Sequence, residues 1–127
     1  MTPIDEAEVA DLAEIMGLPV HLVGVTGQGM TALAEVLLHR GARVTGSDTA
    51  EGFYTTDVLE ALGVHVLPFD RANVRTASLV IHSPAYEPLQ HPELVAARAA
   101  GISVISYPEA LGALSKLTDA VGVCGTH

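Results

Sequence analysis

Apolar and polar positions follow a regular order along the chain from about residue 20 onward. Short apolar runs bounded by glycine or polar residues recur, and between them apolar residues lie three and four positions apart. Such runs are typical of buried strands, and the second spacing is typical of helices. The pattern predicts strands at 20–25, 42–47, 64–67, 79–82, 102–105 and 120–123. It predicts helices between them at 30–40, 55–62, 92–100 and 108–117.

This alternation predicts a parallel sheet, because parallel neighbours need a long crossover connection, which is almost always right-handed. We therefore predict an α/β fold with a Rossmann-like parallel β-sheet and helices on both faces. A short amphipathic helix is predicted before it, with Pro3 at its first position and Gly17 at its end. Residues 1–19 are interpreted as a helical appendage and residues 20–117 as the main domain.

Composition narrows the class of protein. Hydrophobic residues make up 49% of the chain but aromatic residues only 4%, so the core is built from Val, Leu, Ile and Ala, as suits a parallel sheet. A formal net charge of −9 argues against a nucleic-acid partner. The single cysteine (Cys124), the acidic beginning and the lack of a long apolar run predict a cytoplasmic protein with no membrane partner.

A glycine-rich turn joins the first predicted strand to the first predicted helix. Gly27, Gly29 and Ala32 satisfy the G-x-G-x-x-G/A spacing of phosphate-binding loops, in which glycine lets an anion approach the backbone. No Lys or Arg lies between Val20 and His39, so backbone N–H groups and the helix dipole would hold the anion. The alternative is a turn that only packs the helix against the strand.

Asp48 follows the second predicted strand, 19 residues after Gly29. An acid near this spacing accepts hydrogen bonds from the ribose of a nucleotide whose phosphates lie on the glycine loop. The alternative is an ordinary turn residue. In both cases we expect a loop carboxylate with few packing contacts.

Several other residues are candidates on weaker grounds. Phe53, Tyr54 and Tyr86 would cover or stack on a nucleotide, or else anchor their loops to the core. His82 lies beside the loop after the fourth strand and is a candidate ligand contact. The histidines are otherwise scattered without metal-ligand spacing, so no metal site is expected.

Five segments resemble the Mur ligases, and most closely their UDP-N-acetylmuramate:L-alanine ligase branch. Residues 20–30 and 46–48 read VHLVGVTGQGM and GSD, where the family has an apolar strand, G-I-G-G-x-G-M and G-S-D. Residues 83–86 and 91–95, SPAY and HPELV, are similar to its S-x-A-I and N-P-E-L, and 122–127, GVCGTH, to the approach to its G-T-H-G-K-T loop. Thr26 stands in place of a family glycine and Gln28 in place of a smaller residue.

The resemblance implies that this is the domain that holds the UDP of UDP-N-acetylmuramate, a peptidoglycan precursor. It implies a diphosphate site at Thr26, Gly27, Gln28, Gly29 and Met30, and a uridine side at Asp48, Thr49, Ser83, Pro84 and Ala85. The parent protein would add L-alanine in an ATP- and magnesium-dependent reaction that also needs its central and C-terminal domains. Residues 118–127 would open the central domain, with Gly125, Thr126 and His127 beginning a truncated ATP loop. The fragment alone would then have no catalytic residue and no activity.

Three alternatives to this interpretation stay open. The related ligase that recycles a tripeptide onto the same nucleotide sugar has a similar beginning. An NAD(P)-binding module of an oxidoreductase would also use G-x-G-x-x-A followed by Asp48. The third alternative is a regulatory or assembly domain that keeps the fold without the ligand.

Overall fold

The computed structural model describes residues 17–49 and 54–120. Their strands are β1 (Pro19–Val23), β2 (Arg43–Ser47), β3 (Val66–Leu67), β4 (Leu79–His82) and β5 (Ser103–Ser106). Their helices are α1 (Gln28–His39), α2 (Tyr54–Ala61), α3 (Pro92–Ala99) and α4 (Tyr107–Ala120), with a short 3-10 helix at Arg71–Val74.

The described strands form one parallel sheet with the order β3-β2-β1-β4-β5. The chain moves outward from β1 to β3, returns to the other side of β1 at β4, and moves outward again to β5. Strand order therefore reverses beside β1, and in sheets of this kind ligands bind beyond the carboxyl ends of the strands at that reversal. The predicted α/β, Rossmann-like architecture is confirmed.

Two apolar cores cover the two faces of the sheet, because successive side chains of a strand point to opposite faces. On one face Val20 and Leu22 of β1 pack with α1, α2 and α4. On the other face Val23 packs with α3 and the 3-10 helix, through Val74, Val80, Leu94 and Ala97. Helices lie on both faces, as predicted.

The observed elements differ from the predicted ones mainly at their ends. β1 ends at Val23 rather than at residue 25, because Gly24 adopts a positive φ of 83° and the N–H groups of Gly24 and Val25 both donate to the Ser47 carbonyl. β3 has only two residues, since Val64 N–H donates to Leu59 at the end of α2 instead.

The prediction of a last strand at residues 120–123 was wrong at its first residue. Ala120 is helical, as the final residue of α4. The rest of that strand, the helix predicted within residues 1–16, and Phe53 lie outside the described residues. In the part of the chain that the structure does describe, no helix has both the length and the apolar character needed to cross a membrane.

Candidate functional site: a cleft at the carboxyl edge of the sheet

A cleft of about 300 Å³ opens where the strand order reverses. Its walls come from the loops after β1, β2 and β4. They are Gly24, Thr26, Gly27, Asp48, Thr49, Ser83, Ala85 and Tyr86. None of these lining residues is a Lys or an Arg, so the cleft offers an anion backbone N–H groups and hydroxyls rather than a cation.

The glycine loop ends at the first turn of α1, which begins at Gln28. Gly27 is the N-cap and no side chain caps the helix, and its first turn contains no acidic residue. The first N–H groups of a helix have no partner within it, and they lie at the positive end of its dipole. This end of α1 is therefore arranged to accept an anion.

Asp48 joins the glycine loop to the end of β2 through hydrogen bonds. Its Oδ2 accepts hydrogen bonds from Thr26 N–H at 2.9 Å and from Thr26 Oγ1 at 2.5 Å. Its Oδ1 accepts from Thr49 N–H at 2.8 Å and from the Tyr86 hydroxyl at 3.3 Å. The side chain is buried, at 7% relative exposure. The expectation that Asp48 has few contacts to lose was therefore wrong.

Thr26 completes this connection on its other side. The Thr26 carbonyl accepts a hydrogen bond from Thr55 Oγ1 of α2 at 2.7 Å. Thr26 is thus tied to the elements on both sides of the loop following β2. The hydroxyl that it places in the glycine loop is used to bind Asp48.

Tyr86 crosses the cleft from the loop after β4. A Cβ added to Gly24 would lie 2.8 Å from Tyr86 Cε2, so the ring lies directly on the end of β1. The ring also forms an edge-to-face cluster with Phe69 and His91, at centroid distances of 5.3 and 5.0 Å. Tyr86 therefore links the floor of the cleft to the core under α3.

A buried polar network lies on the α3 face of the sheet. Glu93 Oε1 accepts hydrogen bonds from His21 Nε2 at 3.0 Å and from Ser47 Oγ at 2.7 Å. Glu93 Oε2 accepts from Asp70 N–H at 2.9 Å and from Asn73 Nδ2 at 2.7 Å. These donors belong to β1, β2 and the 3-10 helix with its N-cap, so one carboxylate joins them to α3.

The Glu93 carboxylate is ionised in this setting. Burial raises its pKa, but the hydrogen bonds from His21, Ser47, Asp70 N–H and Asn73 outweigh burial, and the pKa lies below its ordinary value of 4.5. A fully buried charge is tolerated only when it is paired and hydrogen-bonded. Here both oxygens have two donors each.

His91 occupies the N-cap position of α3. Its Nδ1 accepts a hydrogen bond from Glu93 N–H at 3.1 Å, so the ring proton lies on Nε2. The pKa of His91 lies below its ordinary value of 6.5, mainly because burial desolvates the ring. The nearby Glu93 carboxylate raises this pKa, and His82 and His21 lower it, but each of these effects is smaller than that of burial. The ring stands edge-on to Phe69 at a centroid distance of 4.5 Å. Neutral His91 is therefore the form that caps the helix.

A second cavity, of about 370 Å³, lies between the 3-10 helix and α3 and includes Arg71, Arg75 and Ile102 in its lining. It adjoins the residues that lead into β4 and β5, at the amino ends of those strands. Since ligands of parallel sheets bind beyond the carboxyl ends, the smaller cleft at the strand reversal is the candidate functional site.

A sequence model described as "Mur ligase family, catalytic domain" matches residues 19–118. The chain belongs to the Mur ligase family. The match covers every described strand and the glycine loop, so the cleft described above is part of the Mur ligase fold. The family assignment made from the five sequence segments is confirmed.

Two curated relatives similar to this Mur ligase chain carry the same name. The UDP-N-acetylmuramate--L-alanine ligase of Treponema pallidum (strain Nichols) is 47% identical over 116 residues, which are 90% of this chain and 24% of the relative. The ligase of the same name from Desulfitobacterium hafniense is 46% identical over 113 residues, 88% of this chain and 25% of the relative. The chain thus spans about a quarter of the length of the curated relatives it matches.

Solved structures agree with this family. The UDP-N-acetylmuramate-alanine ligase of Thermotoga maritima matches with a TM-score of 0.66 and 30% identity, over 82% of this chain and 23% of that one. The UDP-N-acetylmuramate:L-alanyl-gamma-D-glutamyl-meso-diaminopimelate ligase of Neisseria meningitides has a TM-score of 0.66 and 26% identity, over 72% and 29%. A dipicolinate synthase chain of Bacillus halodurans, at 13% identity and a TM-score of 0.54 over 91% of this chain and 52% of that one, shares the fold alone.

The structure brings together six of the residues predicted for the nucleotide site of this Mur ligase. They are Thr26, Gly27, Asp48, Thr49, Ser83 and Ala85. Gln28 lines a shallow pocket between α1 and α2 instead. The Met30 side chain is buried in the core at 3% exposure and does not line the cleft, and Pro84 is exposed without lining it.

Sequence reasoning missed the buried network of this Mur ligase. His21 interrupts an otherwise apolar strand, and Glu93 lies in the first turn of a helix; together these were the signal available. Gly125, Thr126 and His127, predicted to begin the ATP loop, lie outside the described residues. Within residues 17–49 and 54–120, no group of His, Cys, Asp and Glu side chains could hold a metal ion.

Proposed function

We propose that this chain binds the uridine diphosphate part of UDP-N-acetylmuramate in the cleft at the carboxyl edge of its sheet. The observation that carries the proposal is the convergence of three loops on one cleft, with an uncapped helix N-terminus at one side and a buried carboxylate at the other. The relatives that carry this substrate in their names support the choice of ligand.

The diphosphate would lie at the first turn of α1. Gly27 has no side chain to obstruct a phosphate, and the N–H groups at the start of α1 point out of the helix. Backbone donors do not titrate in the physiological range, so the affinity of this end of the cleft is set by their geometry and by the charge of the ligand.

The nucleoside would lie toward Asp48, Thr49, Ser83 and Ala85. Asp48 Oδ2 accepts two hydrogen bonds from Thr26, while Oδ1 accepts one from Thr49 N–H at 2.8 Å and a longer one from the Tyr86 hydroxyl at 3.3 Å. A ribose hydroxyl would approach Oδ1, where it would take the place of the longer hydrogen bond. Thr26 would hold the carboxylate in position while the ligand uses its other oxygen.

For the whole protein we propose ATP-dependent addition of L-alanine to UDP-N-acetylmuramate, in the cytoplasm. ATP and magnesium would be held outside the described residues, by a central domain that begins near residue 118 and acts with a C-terminal domain. In this division residues 1–19 are an appendage and residues 20–117 supply nucleotide-sugar binding. The amino acid added is the finer part of this proposal, since the tripeptide-recycling ligase shares the fold.

Calorimetric titration of the 127-residue chain with UDP-N-acetylmuramate, UDP and NAD tests the proposal. We expect the two uridine compounds to bind and to raise the melting temperature, since a ligand that binds only the native state stabilises it. NAD should bind more weakly than UDP. A higher affinity for NAD would favour the oxidoreductase alternative, and binding of none of the three would leave a domain that keeps the fold without the ligand.

A further inference from the structure

The phenol of Tyr107 lies directly against the glycine loop. A Cβ added to Gly29 would lie 2.6 Å from Tyr107 Oη and 2.8 Å from its Cζ. Real Cβ atoms do not approach other atoms this closely, so Tyr107 takes the space that a side chain at position 29 would need. Gly29 is thus required by a neighbouring side chain as well as by any phosphate.

The position of Tyr107 is set by the strand that precedes it. Tyr107 is the first residue of α4 and follows Ser106, the last residue of β5, whose Cα pairs with His82 at the end of β4. The carboxyl ends of β1, β4 and β5 lie at the same edge of the sheet. Tyr107 therefore reaches the first turn of α1 from the same edge that carries the cleft.

The hydroxyl group of Tyr107 has no hydrogen-bond partner among the described residues. Its ring packs against the apolar core on the α1 face, which fixes the position of the ring. The hydroxyl is thus a fixed polar group beside Gly29, at a helix end that no side chain caps.

We propose that Tyr107 Oη donates a hydrogen bond to the diphosphate bound at the start of α1. The inference rests on the proposed function and adds a side-chain donor to a site otherwise built from backbone N–H groups. A hydrogen bond from a hydroxyl to a charged phosphate oxygen is stronger than one between neutral groups. It would give the site selectivity for a diphosphate without a Lys or Arg.

Tyr107→Phe tests the proposal, because it removes the hydroxyl and keeps the ring on Gly29. We expect the affinity for UDP, measured by calorimetry, to fall roughly tenfold. The melting temperature without ligand should not change, since the hydroxyl has no partner in the described chain to lose. In NMR spectra of UDP bound to the variant, the phosphorus resonances should move and the uracil proton resonances should stay.

The outcomes separate this inference from the proposed function. If the parent chain binds UDP and Tyr107→Phe binds it equally well, the hydroxyl has no such role, although the proposed function stands. If the parent chain does not bind UDP, the proposed function fails and this inference fails with it. A variant with a lowered melting temperature, or with shifted uracil resonances, would overturn the diphosphate contact in favour of a structural or nucleoside-side role.

A second comparison tests the close approach itself. Gly29→Ala should lower the melting temperature of the parent chain, because the new methyl group collides with Tyr107. In a Tyr107→Ala background the same substitution should have little effect, since the obstructing ring is gone. If Gly29→Ala lowers the melting temperature equally in the two backgrounds, the absence of a side chain at Gly29 is not required by its contact with Tyr107.

Discussion

His21 Nε2 lies 3.0 Å from Glu93 Oε1, and both side chains are fully removed from solvent although 72 residues separate them in the sequence. The pair fixes α3 against the centre of the sheet. Through Ser47 Oγ, which also donates to Glu93, it reaches the end of β2, where the Ser47 carbonyl accepts from the N–H groups of Gly24 and Val25. The buried network and the glycine loop therefore share one residue.

Glu93→Ala should lower the free energy of unfolding by about 2–6 kcal/mol, because it leaves the buried donors of His21 and Ser47 without an acceptor, at about 1–3 kcal/mol each. Urea denaturation measures this value. The matched control is Glu35→Ala, which removes the exposed carboxylate that lies 3.8 Å from His39 on α1. The control should change stability by less than about 0.5 kcal/mol. If the two variants lose similar free energies of unfolding, burial of the His21–Glu93 pair does not determine its contribution to stability.

Stability should fall with acid in two stages. Burial lowers the pKa of His91 below 6.5, so protonation favours the unfolded chain, and this contribution to stability is lost as pH falls through 6.5 toward the folded pKa. The pKa of Glu93, lowered below 4.5 by its hydrogen bonds despite burial, gives a contribution present above pH 4.5 and lost as pH falls further.

His91→Asn checks the first stage, because Asn can still cap α3 but does not titrate. Free energies of unfolding measured between pH 5 and 8, a range that brackets the ordinary pKa of about 6.5 for histidine, should vary less with pH in this variant than in the parent. An unchanged pH dependence would show that another group titrates in that range.

Asp48→Ala should weaken UDP binding and also destabilise the fold. The substitution leaves the buried N–H of Thr26 without its acceptor, at a cost of about 1–3 kcal/mol in the free energy of unfolding. Binding should weaken by roughly 1.5–3 kcal/mol if Asp48 also accepts from the ribose. Thr26→Val is the control, since it removes the hydroxyl donor and keeps the N–H. If Asp48→Ala binds UDP as the parent does, Asp48 only anchors the loop.

Gly46→Ala tests the packing of β2 against the glycine loop. A Cβ at this position would lie 2.7 Å from the side chain of Val25, and both residues are buried. We expect a loss of about 1–3 kcal/mol in the free energy of unfolding from overpacking. Gly112→Ala is the matched control, because no atom lies within 4 Å of a Cβ there and α4 continues through it. It should stabilise the chain by about 0.5–1 kcal/mol.

The sheet could be predicted from the sequence because its signals are local. β4 was predicted at its observed limits, Leu79–His82, since four apolar or buried residues stand between polar turns. The end of β1 could not be predicted, because it depends on hydrogen bonds to Ser47, which is distant along the chain. The start of β3 could not be predicted either, because Val64 N–H bonds to Leu59 at the end of the preceding helix and not to the sheet.

The cleft was predictable in outline, and its internal contacts were not. Asp48 and Thr26 each follow a strand, and the topology alone brings them to one edge. The direct hydrogen bond between them, the ring of Tyr86 on Gly24 and the ring of Tyr107 on Gly29 depend on side-chain directions that a single sequence does not specify. The role of Glu93 was hidden for the same reason, since its partners come from β1, β2 and the 3-10 helix.

The central place of β1 has a consequence during synthesis on the ribosome. The strand that forms on the other side of β1 is β4, which leaves the ribosome well after β2 and β3. At about 5–20 residues per second, one edge of β1 stays unpaired for several seconds, when it could join strands of other nascent chains. The imidazole of His21, in the middle of β1, stays without its Glu93 acceptor for even longer, because Glu93 follows β4 along the chain.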